Sequence, residues 1–163
     1  MFRFMNRVRL FHGFSKSELS GLQPYLNLRT YKQGEVVFFR EDPAAALYIV
    51  KTGEVDLSLD VNDKLELLTT EQARGSFGDE ALLPGQKRMY NAIVASESAE
   101  LYVLPSANLY DYLERNKRGG AKLYMNLAKV RNEFMVRLFK AYKQEYGLFE
   151  LSQAFYKSEK EAK

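Results

Sequence analysis

The chain has 163 residues, 46% hydrophobic and 28% charged, with a formal net charge of +3. This is enough apolar material for one packed domain, and it excludes a disordered or low-complexity chain. The absence of cysteine excludes disulfides, thiolate chemistry and Cys-based zinc sites, and with charges of both signs interleaved, the pI near 9 does not by itself imply nucleic acid.

Met1 to Arg9 is interrupted by Arg3, Arg7 and Arg9 and holds no apolar core, so no signal peptide is expected. The longest apolar run, Ala44 to Val50, is far short of a membrane span. A soluble, cytoplasmic chain without a membrane partner is expected. The single histidine, His12, precedes Gly13 in a turn rather than a nucleophile, and no carboxylate or histidine cluster has metal-ligand spacing. Neither an enzyme nor a metal or cofactor site is expected.

Leu10 to Phe14 is an apolar entry into Ser15-Lys-Ser-Glu18, a capping-box pattern. Leu19, Leu22 and Leu26 recur at helical spacing, with Pro24 as the stop. From Leu28 the period shortens. Gly34 to Phe39 and Ala46 to Lys51 read as strands separated by a turn at Glu41-Asp-Pro43, and Thr52-Gly53 is a tight turn. Glu54 to Leu59 alternates with period two, Val61 to Lys64 is a hairpin tip, and Leu65 to Leu68 is the returning strand. Asn91 to Ser96 and Glu100 to Leu104 add two more strands. Short strands at this spacing predict a mainly β domain, an antiparallel β-roll of the jelly-roll type between about Leu28 and Leu104.

Ser106 to Leu113 is predicted to be a helix capped by Ser106, with Lys117-Arg-Gly-Gly120 as its break. A long helix to about Tyr146 follows, with Gly147 as its stop. Its seam of Leu123, Leu127, Val130, Phe134, Leu138 and Ala141 has the spacing of a helix that packs on something long, either a partner helix or its own roll. The expected division is residues 1–116, the roll with its flanking helices, and residues 117–163, the long C-terminal helix and a charged tail.

The order of these elements resembles the cyclic-nucleotide-binding domain family. Leu10 to Leu19 is similar to its opening helix, and Lys32 to Val50 followed by Thr52-Gly53-Glu54-Val55 to its first strands. The family's phosphate-binding cassette typically reads Phe-Gly-Glu-Leu-Ala-Leu-Leu, with an arginine nine residues beyond the glutamate. Here Phe77-Gly78-Asp79-Glu80-Ala81-Leu82-Leu83 stands in that place, and Arg88 lies nine residues beyond Asp79. The resemblance implies a sensory module that binds a cyclic mononucleotide, cyclic AMP or cyclic GMP. Its ligand-binding residues would be Gly78, Asp79, Glu80, Ala81, Arg88 and Met89. The chemistry suits that role: glycine permits close backbone approach, the turn offers amides, and arginine supplies a permanent charge in a planar fork.

The pattern also departs from the family. Asp79 is shorter than glutamate by about 1.5 Å of reach, Lys87 stands where proline is common, and Met89 and Tyr90 replace small residues. The step from Arg88 to Ala95 is one residue longer than usual. A ligand-free interaction scaffold, working through the aromatic-rich helix and tail, is the alternative, with Arg88 paired to Asp79 or Glu80. The resemblance further implies a homodimer through Leu127, Val130, Phe134 and Leu138, with Asn126 and Asn132 as polar candidates for contact with the base. Only about 16 residues follow Gly147, too few for a helix-turn-helix with its supports, so no DNA partner is expected.

Overall fold

A computed structural model describes residues 1–61 and 64–145. The Asn62-Asp63 tip, Tyr146, the Gly147 stop and the tail from Leu148 lie outside the described residues, as do the side chains of Leu138 and Ala141. The chain divides into two compact units, Met1–Asn126 and Leu127–Lys163.

Among the described residues the first unit holds eight strands: β1 Asn27–Lys32, β2 Val36–Phe38, β3 Ala46–Thr52, β4 Val55–Val61, β5 Lys64–Glu71, β6 Ser76–Phe77, β7 Asn91–Val94 and β8 Ser98–Pro105. They form two four-stranded sheets, ordered β1-β8-β3-β6 and β2-β7-β4-β5, with every pairing antiparallel. This is the predicted antiparallel roll. Alternation along β3 and β8 sends Ala46, Tyr48, Val50, Ala99, Leu101 and Val103 into a shared core with Phe38, Val55, Leu57, Phe77, Ala92 and Val94. Their neighbours Leu47, Ile49 and Leu104 are fully buried on the opposite face.

That opposite face meets the helical parts. α1, Phe2–Met5, places Phe4 5.7 Å from the Tyr102 ring of β8; this one-turn helix was not predicted. α2, Lys16–Leu22, starts at the expected capping box, with Ser15 and Glu18 each accepting from the other's backbone amide. A 3₁₀ turn with Pro24 in its first turn follows it. α3, Ser106–Arg115, and α4, Lys117–Glu145, complete the described elements.

Two boundary expectations are corrected. Ser106 does not cap α3: Pro105 stands at that position, and the Ser106 hydroxyl donates to the Ala44 carbonyl across the domain. Lys117 to Gly120 is not a break but the first turn of α4. The chain turns one residue earlier, at Asn116, whose side-chain oxygen accepts from the Gly119 amide as an N-cap does. Gly119 has a packing reason to be glycine, because a Cβ there would stand 2.5 Å from the Tyr112 hydroxyl.

Helix α4 is tied to the N-terminal segment. Lys122 bonds the Glu18 carboxylate at 2.6 Å and the Gly13 carbonyl at 3.0 Å. Asn126 donates to the carbonyls of Leu10 and His12. Both hydrogens of its amide are thereby spent on the entry segment, which makes Asn126 a tether within this unit. His12 itself is exposed.

Candidate functional site

The cassette residues follow β6 directly. Gly78 adopts a left-handed backbone, φ +72°, and opens the 3₁₀ turn Asp79–Leu82. Only glycine fits there, since a Cβ would lie 2.6 Å from Arg88 Nη1 and 3.2 Å from the Ala46 carbonyl. Ala81 and Leu82 are fully buried, Glu80 is buried and Asp79 half-buried.

Arg88 arrives from a second loop. Its amide donates to the Asp42 carbonyl at 2.8 Å and its carbonyl accepts from the Glu41 amide at 3.0 Å. The turn at Glu41-Asp-Pro43 thus pairs with Gln86 to Arg88, reinforced by a bridge between Pro43 and Lys87. This pairing aims the Arg88 side chain into the roll. Arg88 is 2% exposed; Nη1 donates to the Gly78 carbonyl at 3.0 Å and Nη2 to the Ala46 carbonyl at 2.7 Å. Nη1 also stands 3.5 Å from the Glu80 carboxylate, the pairing that the scaffold alternative anticipated. Nε is buried without a hydrogen-bond partner.

The surroundings are aromatic. The guanidinium carbon lies over the Phe38 ring and more distantly over Tyr48, and Tyr48 stacks on Phe77 at 5.2 Å. Tyr90, 5.8 Å from Phe38, accepts a hydrogen bond from the Gly78 amide at 2.9 Å. Burial pushes the Tyr90 phenol well above its ordinary range, and the nearby Glu80 and Asp79 carboxylates push in the same direction, so the hydroxyl stays neutral. Met89, between Arg88 and Tyr90, turns outward with 58% of its surface exposed.

The structure therefore brings Gly78, Glu80, Ala81 and Arg88 together in the interior, with Asp79 at its margin and the Met89 side chain outside. Phe38, Tyr48 and the Ala46 carbonyl, which hold the guanidinium, were not anticipated. Neither were two hydroxyls on the cassette turn: Tyr110 of α3 donates to the Ala81 carbonyl at 3.1 Å, and Tyr124 of α4 to the Leu82 carbonyl at 3.0 Å. No spacing signal marks these partners, which are distant in sequence and meet only through the fold.

Residues 28–116, which hold both the roll and the cassette, match the family described as Cyclic nucleotide-binding domain. The chain belongs to this family. It is 31% identical over 121 residues to Glutaminase 1 of Bradyrhizobium diazoefficiens, covering 74% of this chain and 19% of that protein. It is 33% identical over 96 residues to the Cyclic AMP receptor protein of Thermus thermophilus, covering 58% of this chain and 44% of that one. The crystal structure of the Thermus thermophilus Catabolite Activator Protein superposes with a TM-score of 0.70 at 25% identity, over 82% of this chain and 62% of the other. The chain thus spans less than two thirds of each of these relatives. No helix among the described residues is long and apolar enough to cross a membrane.

Proposed function

We propose that the chain is a sensory module that takes a cyclic mononucleotide, cyclic AMP or cyclic GMP, in the cassette and relays its occupancy through α3 and α4 to a protein partner. The observation that carries this reading is Arg88. A buried guanidinium costs several kcal/mol in desolvation, and a position needed only for packing is filled more cheaply by an aliphatic residue. Here the charge is held by two neutral carbonyls and a carboxylate at 3.5 Å, with Nε unpartnered. Such a group is suited to an anion such as a phosphate. The ribose hydroxyl would fall to Asp79 or Glu80, and Ala81 and Met89 would complete the seat. The name of the Thermus thermophilus relative supports cyclic AMP. The hydroxyls of Tyr110 and Tyr124 on consecutive cassette carbonyls support the relay.

A homodimer through Leu127, Val130, Phe134 and Leu138 belongs to the same reading, as do a cytoplasmic location, the lack of DNA and membrane partners, and the lack of catalysis. A second reading, a ligand-free interaction scaffold, is favoured by the packing of Phe38, Tyr48, Phe77 and Tyr90 around Arg88. Thermal unfolding with and without each nucleotide separates the two. A ligand at a hundred times its dissociation constant adds about 2.7 kcal/mol of stability, which the sensory reading requires for at least one nucleotide. No shift with either at millimolar concentration would leave the scaffold.

A further inference from the structure

Arg88 and Tyr90 turn inward while Met89 between them turns out, and the two inward side chains close on opposite sides of one residue. The Gly78 carbonyl accepts from Arg88, and the Gly78 amide donates to the Tyr90 hydroxyl. The Tyr90 ring packs beside Phe38, the same ring that lies against the guanidinium. Gly78 has no spare room, as the clash of a Cβ with Arg88 Nη1 demonstrates. Its amide points at a tyrosine oxygen, in the turn where an incoming ligand oxygen would look for donors.

We infer that Tyr90 is a resident stopper of the cassette: its hydroxyl occupies the Gly78 amide, and a ligand enters only as that hydrogen bond is given up. This rests on the reading of the cassette as a nucleotide seat. The thermodynamics are those of competition. In the free protein the phenol satisfies an amide that is costly to leave unmade in a buried site. In the bound protein a ligand oxygen takes that amide, so the phenol bond is lost. Tyr90→Phe keeps the ring and its packing but removes the competing acceptor. The free state is then destabilised by about one hydrogen bond and the bound state is not, so affinity rises about tenfold.

The test combines amide exchange by NMR with calorimetric titration of cyclic AMP and cyclic GMP into the native chain and the Tyr90→Phe variant. Expected are about tenfold faster exchange of the Gly78 amide in the free variant, and tighter binding by the same order. Unchanged protection at Gly78 in the variant would overturn the inference without any ligand being involved. So would native binding that Tyr90→Phe leaves equal or weaker, in which case the sensory reading survives alone. If neither protein binds either nucleotide while the Gly78 amide is deprotected in the variant, the sensory reading fails, and the stopper fails with it because nothing competes.

Discussion

The guanidinium carbon of Arg88 lies 4.1 Å from the centroid of the Phe38 ring, closer than its 5.6 Å to Tyr48, and the Arg88 side chain is 1% exposed. A cation in that position is structural as well as chemical. Arg88→Ala removes the cation–π contact and two charged hydrogen bonds, and leaves the buried Glu80 carboxylate without its guanidinium. Breaking such a pair costs about 3 to 5 kcal/mol. The expected outcome is a loss of that order in urea unfolding. Arg88→Met combined with Glu80→Gln should recover much of it, because the buried charge is removed along with its partner. A cost under about 1 kcal/mol for Arg88→Ala would mean that the pair is in effect solvated.

Gly78 and Gly34 give a matched comparison. Both have left-handed backbones, φ +72° and +79°, so alanine is strained at either by about 1 kcal/mol. At Gly34 nothing lies within 4 Å of a Cβ, whereas at Gly78 Arg88 Nη1 would be 2.6 Å away. Gly78→Ala should therefore cost at least twice as much as Gly34→Ala in thermal or urea unfolding. Equal costs would show that Arg88 swings aside without penalty.

The parts of this fold that were legible in the sequence are those whose signal is local. The alternation of β4 and the Ser15–Glu18 capping box are set by neighbours a few residues away, and both are present. β6 has two residues, too few for a period, and β1, Asn27–Lys32, is largely exposed at a sheet edge, so no apolar alternation marks it. Gly119 and Gly120 read as breakers, yet the Tyr112 hydroxyl, a tertiary neighbour, dictates Gly119. At the site, the spacing from Asp79 to Arg88 was readable because it belongs to one segment. The Ala46 carbonyl, Phe38 and Tyr124 reach the same place from elsewhere in the chain, and no spacing rule links them. The inward turn of Tyr90 and the outward turn of Met89 follow from the pairing of Arg88 with Glu41 and Asp42, which is also a contact distant in sequence.

Glu18 sets an acid limb. Its carboxylate accepts from Lys122 and from the Ser15 amide, and these bonds lower its pKa from 4.5 to about 2. A carboxylate whose pKa is lower in the folded state stabilises the fold above the unfolded value. That contribution fades as pH falls from 4.5 toward 2. With the partly exposed Lys122 screened by water, it is worth about 1 to 2 kcal/mol. Lys122→Met should lower stability near neutral pH and flatten its decline across that window. Parallel curves for variant and native chain down to about pH 2 would assign the acid limb to other groups.

The Tyr124 hydroxyl donates to the Leu82 carbonyl at 3.0 Å, and Tyr110 holds the adjacent Ala81 carbonyl. Both lie within the compact unit Met1–Asn126. Tyr124 is 40% exposed, and replacing it by Phe keeps the ring and removes only the hydroxyl's bond to the turn. Tyr124→Phe should then cost only about 1 kcal/mol of stability and change nucleotide affinity by less than about threefold. The response of the helix is where it should act. In the native chain, nucleotide binding is expected to alter amide exchange in α4 between Ala121 and Asn126, and in Tyr124→Phe that response should shrink while binding persists. The same substitution at Tyr110 should instead affect the start of α3. If ligand-induced exchange changes in α4 are as large in Tyr124→Phe as in the native chain, Tyr124 is a packing contact and the relay runs through another part of the turn.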